Sequence, residues 1–471
     1  MDKKDLELQA AKAKAKPDIT NLQKCIEDAK KAAMDGDTGP KDPTDYNQLR
    51  GRLEACREKL PPLYRETVFK PYAATLDELG QSGFTKILLR DPERESDAGL
   101  MLDIAHSVLQ NGEGYKETTT DGFQEVISDL YDGFLSAEDR QGVKPPDKGT
   151  IPPLVKWGRP DFGPYTWPVD ATSVFGLKAG VVNLPPANAK RGLLAWAALG
   201  HETTGHDILY ADTGLLQELA AKVRKALEEQ NVGQGLPDYW ADRIDETASD
   251  ILGILNIGPS AGIGLIGYFR ALNEAYTGDG KLRNDGPEDD PHPADIVRGY
   301  LAASAVGLLK FSGATGWAKT ILSETEKDLT RIRLGEAVIK PEDARQSAGI
   351  VASTLMRGKM ESLDNHALGD IQDWRDHDET ITKKLRTILI SANQLPRKYA
   401  KGFYAAHVVA AAVTAALSKD GDVALIFSRM VTILKTMHDG NASWGPLYVA
   451  HPGDIVAIRA YSYGPLSSDV E

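Results

Sequence analysis

The chain has 471 residues, 41% of them hydrophobic and 26% charged. That is a globular composition, and it excludes wholesale disorder, a collagen-like repeat and a disulfide-stapled miniprotein. Lys and Arg number 55 against 68 Asp and Glu, a net charge of −13, which argues against a nucleic-acid partner.

From the N-terminus, MDKKDLELQAAKAKAK is charged and has no apolar segment, so no secretory signal is visible and a cytoplasmic location is expected. The two cysteines, Cys25 and Cys56, make no CxxC spacing and read as reduced thiols. Residues 1–150 read as a helical N-terminal domain. LELQAAKAKAK, Leu22–Ala33 and Tyr46–Leu60 carry apolar residues at three- and four-residue spacing. Asp35–Asp45 is a turn-rich break, and a second break over Glu138–Pro153 ends the domain.

Residues 151–275 form a second unit and 276–471 a third, mainly helical one. Within the second, Ser173–Leu184 reads as a strand stopped by Pro185 and Pro186. Arg191–His206 reads as a buried helix, followed by helices over Leu215–Gln230 and Asp238–Asn256. Ile251–Phe269 is uncharged and just long enough to span a bilayer, but Pro259 and several glycines fit a buried core better, and no membrane partner is expected. A loop over Thr277–Asp290 leads into helices that run through Leu417, and Pro446–Tyr463 alternates like one or two strands.

Chemistry concentrates in LGHETTGHD. His201, Glu202 and His206 form the string H-E-x-x-G-H. Two imidazoles on one side of a helix can ligate zinc, with the adjacent carboxylate aimed at water. The usual spacing is four residues; here it is five, which on a regular helix separates the rings by roughly 140°. A π-bulge absorbs one extra residue, and Gly205 tolerates that distortion. The plainer reading is a helix end with Glu202 and His206 as an ordinary polar pair. Downstream, Glu246 and Asp250 share one face of a helix with the apolar Ile251, Leu252 and Ile254. Buried carboxylates need partners. A metal for Glu246 and a ligand imidazole for Asp250 would supply one each, the alternative being a surface ion-pair face with Arg243.

Glu246-Thr-Ala-Ser249-Asp250 after an H-E helix resembles the gluzincin zinc metallopeptidases, the group that includes thermolysin, and H-E-x-x-G-H resembles the variant of dipeptidyl-peptidase III. The match covers about residues 170–260. The interval between the motifs is longer than in thermolysin, and no G-x-M-E-N signature is present. The resemblance implies a mainly helical α+β fold, with a zincin-like catalytic unit containing an active-site helix and the Ser173–Leu184 segment as the substrate-pairing edge strand. It implies zinc held by His201, His206 and Glu246, Asp250 orienting an imidazole, and peptide hydrolysis by attack of zinc-bound water with Glu202 as general base. The developing oxyanion also needs a donor. His292 is one candidate and equally a helix-entry residue, with Arg298 and Tyr300 on the following helix and Tyr268 and Tyr276 as alternatives. His407 reads as a core histidine; His106, His366, His377 and His438 offer no second cluster, and His451 is unplaced. The substrate would be a peptide or protein. A zincin acting on another amide or an ester, or an interaction protein with a structural metal, are the competing functions.

Overall fold

A computed structural model describes residues 16–135, 140, 142–160, 163–233, 235–397, 403–445, 448–451 and 454–457. Among them the chain is mainly helical with three small sheets, the α+β class expected. The LELQAAKAKAK segment up to residue 15, parts of Glu138–Pro153 and parts of Pro446–Tyr463 lie outside the described residues.

Helix α1 (Leu22–Ala33) buries Leu22, Cys25, Ile26, Ala29 and Ala32, a spacing that turns one stripe inward. After the Asp35–Asp45 turns, α2 (Tyr46–Cys56) starts on Asp45, whose side chain accepts from the Gln48 amide at 2.8 Å. Helices α3 (Lys70–Arg90), α4 (Asp97–Glu113) and α5 (Glu117–Leu135) follow. Between α3 and α4, Asp91 accepts from the backbone amides of Glu95, Ser96 and Ala98 at 3.0 Å and of Gly99 at 3.3 Å.

The main sheet has three short strands. β1 (Leu154–Trp157) runs parallel and β2 (Tyr165–Trp167) antiparallel to β3 (Val181–Leu184), in the order β1-β3-β2. This corrects the strand expected over Ser173–Leu184. Ser173–Phe175 is a 3-10 turn that closes on Gly176 at φ 76°, so only the last four residues are extended. β3 is also the central strand rather than an edge, which its complete burial reflects. β2, half-buried and bounded by Pro164 and Pro168, lies at one edge.

Helices α6 (Leu193–Ala197), α7 (Leu215–Glu229), α8 (Ile244–Ile257), α9 (Pro259–Thr277), α10 (Asp295–Leu308), α11 (Ala314–Glu326), α12 (Pro341–Arg357), α13 (Asp376–Ser391), α14 (Ala405–Leu417) and α15 (Val423–Asp439) complete the body. Ile251–Phe269 crosses from α8 into α9 and is core. Gly258, at φ 66°, breaks it where a Cβ would meet the Trp374 ring at 2.5 Å. No helix among the described residues is long and apolar enough to cross a membrane. Every residue of the Ala-rich α14 is buried. His407 there is a satisfied core histidine: its Nδ1 accepts from the Tyr404 amide at 3.2 Å, and its Nε2 lies 3.0 Å from Asp378 Oδ1. Asp285–Gly286, Ile332–Leu334 and Ala337–Ile339 make a second sheet, and Tyr448–His451 with Asp454–Ala457 a terminal hairpin.

Apolar burial divides into two clusters that meet at the main sheet. Val155, Trp157, Val182 and Leu184 join α1, α5 and the helices from α6 onward. Leu154 and Val181, facing the other way, join α2, α3 and α4, as the two-residue alternation of a strand requires. The clusters do not separate at residue 150, since α1 and α5 belong to the larger one and the smaller one reaches Val181. Cys25 and Cys56 are buried free thiols, one in each cluster.

Candidate metal centre

The segment expected as a buried helix over Arg191–His206 changes pitch at the expected π-bulge. α6 ends at Ala197, and Gly200–Gly205 form a π turn. The wider turn absorbs the fifth residue of the spacing and brings the Nε2 atoms of His201 and His206 to 3.0 Å from each other. Its glycines are there for proximity. A Cβ on Gly205 would meet Ser249 Oγ at 2.0 Å, and one on Gly200 would meet Gly253 Cα at 3.0 Å. Both contacts are to α8, so the π turn lies directly on that helix.

Helix α8 supplies the carboxylates. Glu246 Oε2 is 3.3 Å from His201 Nε2, and its Oε1 is 3.3 Å from His206 Nε2. Asp250 Oδ1 lies 2.8 Å from His201 Nδ1. Asp245 does the same for the other ring, with Oδ2 at 3.2 Å from His206 Nδ1, and the Tyr210 hydroxyl lies 3.5 Å from that oxygen. Asp245 and Tyr210 were missed in the sequence, although Asp245 directly precedes Glu246 and Tyr210 follows His206 by one helical interval of four.

With each Nδ1–H donating to a carboxylate, both Nε2 atoms turn lone pairs toward each other and toward Glu246. Glu246 Oε2 is buried without a hydrogen-bond partner. Converging acceptors of this kind are costly unless a cation sits among them. A tetrahedral ion with bonds of about 2.0–2.1 Å spaces its ligand atoms about 3.3 Å apart; here the two Nε2 atoms are 3.0 Å apart, each is 3.3 Å from a different Glu246 oxygen, and one ligand atom from each residue gives a set within 4.8 Å. His201, His206 and Glu246 could therefore hold a metal ion. Among the described residues they are the one group of three such side chains that converges in this way.

The electrostatics favour positive charge at the same point. Burial works against protonation of His201, but Glu246 and Asp250 outweigh it and lift the ring to about 8. Burial likewise opposes protonation of His206, which Asp245 and Glu246 hold well above the usual imidazole range. Burial disfavours ionised Glu246, yet His201, His206 and Arg298 keep it well below the ordinary carboxylate range. Asp250 is held down by Arg298 against its own burial. Arg298, on α10, is only 4% exposed. Its Nε and Nη2 each lie 2.8 Å from Asp250, its Nη1 lies 3.5 Å from Glu246 Oε2, and its guanidinium sits 4.6 Å from the Phe269 ring centre. It is thus committed to Asp250 and Glu246.

The three candidate ligands border a cleft of about 570 Å³, lined also by Glu202, Thr166, Tyr165, Tyr210, Tyr268 and His292. Glu202 stands on the π turn beside His201, 7% exposed, with one carboxylate oxygen 3.0 Å from Thr166 Oγ1. His292 reaches the rim from the loop before α10; Nε2 is 3.5 Å from Glu246 Oε1 and Nδ1 is 3.0 Å from Asp290 Oδ1. Tyr276 also lines the cleft. Tyr300 does not. Two residues beyond Arg298 it points about 200° around α10, buried against Arg345 with its hydroxyl unpartnered. The expected role for Tyr300 at the reacting atoms is therefore withdrawn. Compared with known proteins, the chain matches no family model, no curated protein and no solved structure.

Proposed function

We propose that the chain is a zinc-dependent peptidase of the gluzincin kind, acting on peptide or protein substrates in the cleft beside β2. The observation that carries this reading is the convergence of two imidazole nitrogens, 3.0 Å apart, on the buried Glu246 carboxylate, each nitrogen 3.3 Å from a different one of its oxygens, next to Glu202. His201, His206 and Glu246 would hold the ion, a donor set suited to zinc. Zinc bound there supplies Lewis acidity that activates water and polarises a carbonyl.

The chain's own groups do the rest. Asp250 and Asp245 fix the tautomers of the two rings, so that each Nε2 faces inward. Glu202 takes a proton from the attacking water on its carboxylate and hands it to the leaving amine. Donors toward the developing oxyanion come from the cleft wall: His292 and the hydroxyls of Tyr210 and Tyr268. Burial keeps both phenols protonated, pushing Tyr210 up to about 12 with help from Asp245 and raising Tyr268 further.

The test combines metal content by mass spectrometry with hydrolysis of a mixed fluorogenic peptide library. About one zinc per chain is expected, absent from Glu246→Ala. Glu202→Gln is expected to keep zinc and lose about 10²–10⁴-fold in rate. Protein purified without chelator that neither carries zinc nor takes it up overturns the reading.

A further inference from the structure

Strand β2 has a different task on each face. Side chains alternate along a strand, so Tyr165 and Trp167 turn to one side and Thr166 to the other. Across the sheet, Tyr165 is level with Asn183 and Lys156, whereas Thr166 is level with Val182 and Val155. On the first side lies Asp103 of α4, 8% exposed. Its Oδ2 accepts from the Tyr165 hydroxyl at 2.7 Å and from Trp167 Nε1 at 2.8 Å. Its Oδ1 takes the ammonium of Lys156, which is also buried and stands 3.4 Å from the Tyr165 hydroxyl. One carboxylate thus ties down both outward residues of a three-residue strand, with β1 supplying the counter-charge. Just beyond β2, the Val169 amide donates to Asp207 Oδ1 at 2.8 Å, anchoring the strand to the segment that follows His206.

On the second side the only residue between these tethers is Thr166. Its Oγ1 lies 3.0 Å from Glu202 Oε2 and 3.1 Å from the Glu202 carbonyl oxygen. A hydroxyl donating to a carboxylate restricts the carboxylate's rotamers, and hydrogen bonds to charged groups are the stronger ones. An edge strand of three residues has few ladder bonds of its own. Its exact placement therefore depends on the Asp103 node.

We propose that Thr166 is a positioning residue for Glu202, and that Asp103, acting through Tyr165 and Trp167, sets where β2 presents it. The proposal rests on the peptidase reading for its kinetic part alone. The position of the Glu202 carboxylate can be read without any substrate.

Thr166→Val and Thr166→Ser are compared with wild type for kcat, KM, zinc content, thermal midpoint and a crystal structure of the zinc-loaded protein, with Tyr165→Phe as the tether variant. Thr166→Val is expected to lower kcat about tenfold or more, with KM within about twofold. Zinc and midpoint should stay at wild-type values, and the Glu202 carboxylate should leave its wild-type place. Thr166→Ser is expected to restore most of the rate, and Tyr165→Phe to show a smaller loss in kcat of the same kind. Should Thr166→Val not fold, Thr166→Ala removes the same hydroxyl. Wild-type kcat with an unmoved Glu202 overturns the proposal. So does a loss that zinc content and thermal midpoint share and that serine leaves unrepaired. A zinc-loaded wild type that cleaves no peptide overturns the peptidase reading instead, and the crystal structures then decide the positioning claim alone.

Discussion

Arg298 is 4% exposed, and its main partner, Asp250, is 3% exposed. Its two bonds to Asp250 fix the carboxylate that in turn fixes His201. Removing one partner of a buried pair leaves the other uncompensated, at a cost of about 3–5 kcal/mol. Arg298→Met is accordingly expected to destabilise the metal-free protein by about that much in urea unfolding, and Asp250→Asn in the same background should recover part of it. Asp245 plays a milder role on the other ring, where it is more exposed than Asp250. Asp245→Ala should weaken zinc affinity about 10–100-fold by competition with a chelator, with the fold intact. At this scale the sequence was most informative. His201, His206, Glu246 and Asp250 were legible as a group because two carboxylates on an otherwise apolar helix face need partners, which the two imidazoles can help supply. Tyr300 misled because its nearness in sequence to Arg298 says nothing of direction, although helical geometry places the two on opposite sides. Thr166 gave no signal, since its role depends on a strand that only tertiary packing defines.

The π turn shows how an element can be legible for an incomplete reason. Gly205 suggested tolerance of a distorted helix, whereas the structure shows a close approach to Ser249. Gly205→Ala is therefore expected to push the turn off α8, costing about 1–3 kcal/mol and abolishing zinc uptake, which calorimetry and metal analysis would register together. The sheet was the least legible element. Tyr165–Trp167 is three residues between prolines and carries no period, while the longer apolar run over Ser173–Leu184 drew the reading to the wrong strand. Capping is more easily tested. Burial pushes Asp91 up, but four backbone amides outweigh it and bring it down to about 2, against an ordinary value near about 3.9. A lowered folded value means that the stabilisation is complete above about pH 4 and is lost as pH falls toward 2. Wild type minus Asp91→Asn should thus show a stability difference at pH 5 that shrinks by pH 3, read from urea midpoints.

At the scale of the whole chain, local signals and shared cores part company. The breaks at Asp35–Asp45 and at Pro185–Pro186 were legible from turn residues, but membership of a core is a long-range property. α5 lies in the first third of the sequence and packs into the cluster that ends with α15. Zinc held by His201, His206 and Glu246, as proposed, would bind the folded state, so chelation should lower the thermal midpoint and excess zinc should restore it. The candidate ligands all belong to segments of the larger cluster, whereas Trp167 at the end of β2 packs against the smaller one. The two halves of the site can therefore fail in sequence. A treatment that loosens α2, α3 and α4 alone would slacken the wall that carries Thr166 and leave the ion where it was. Inactivation would then precede metal release, and a protein fully loaded by metal analysis could already be idle.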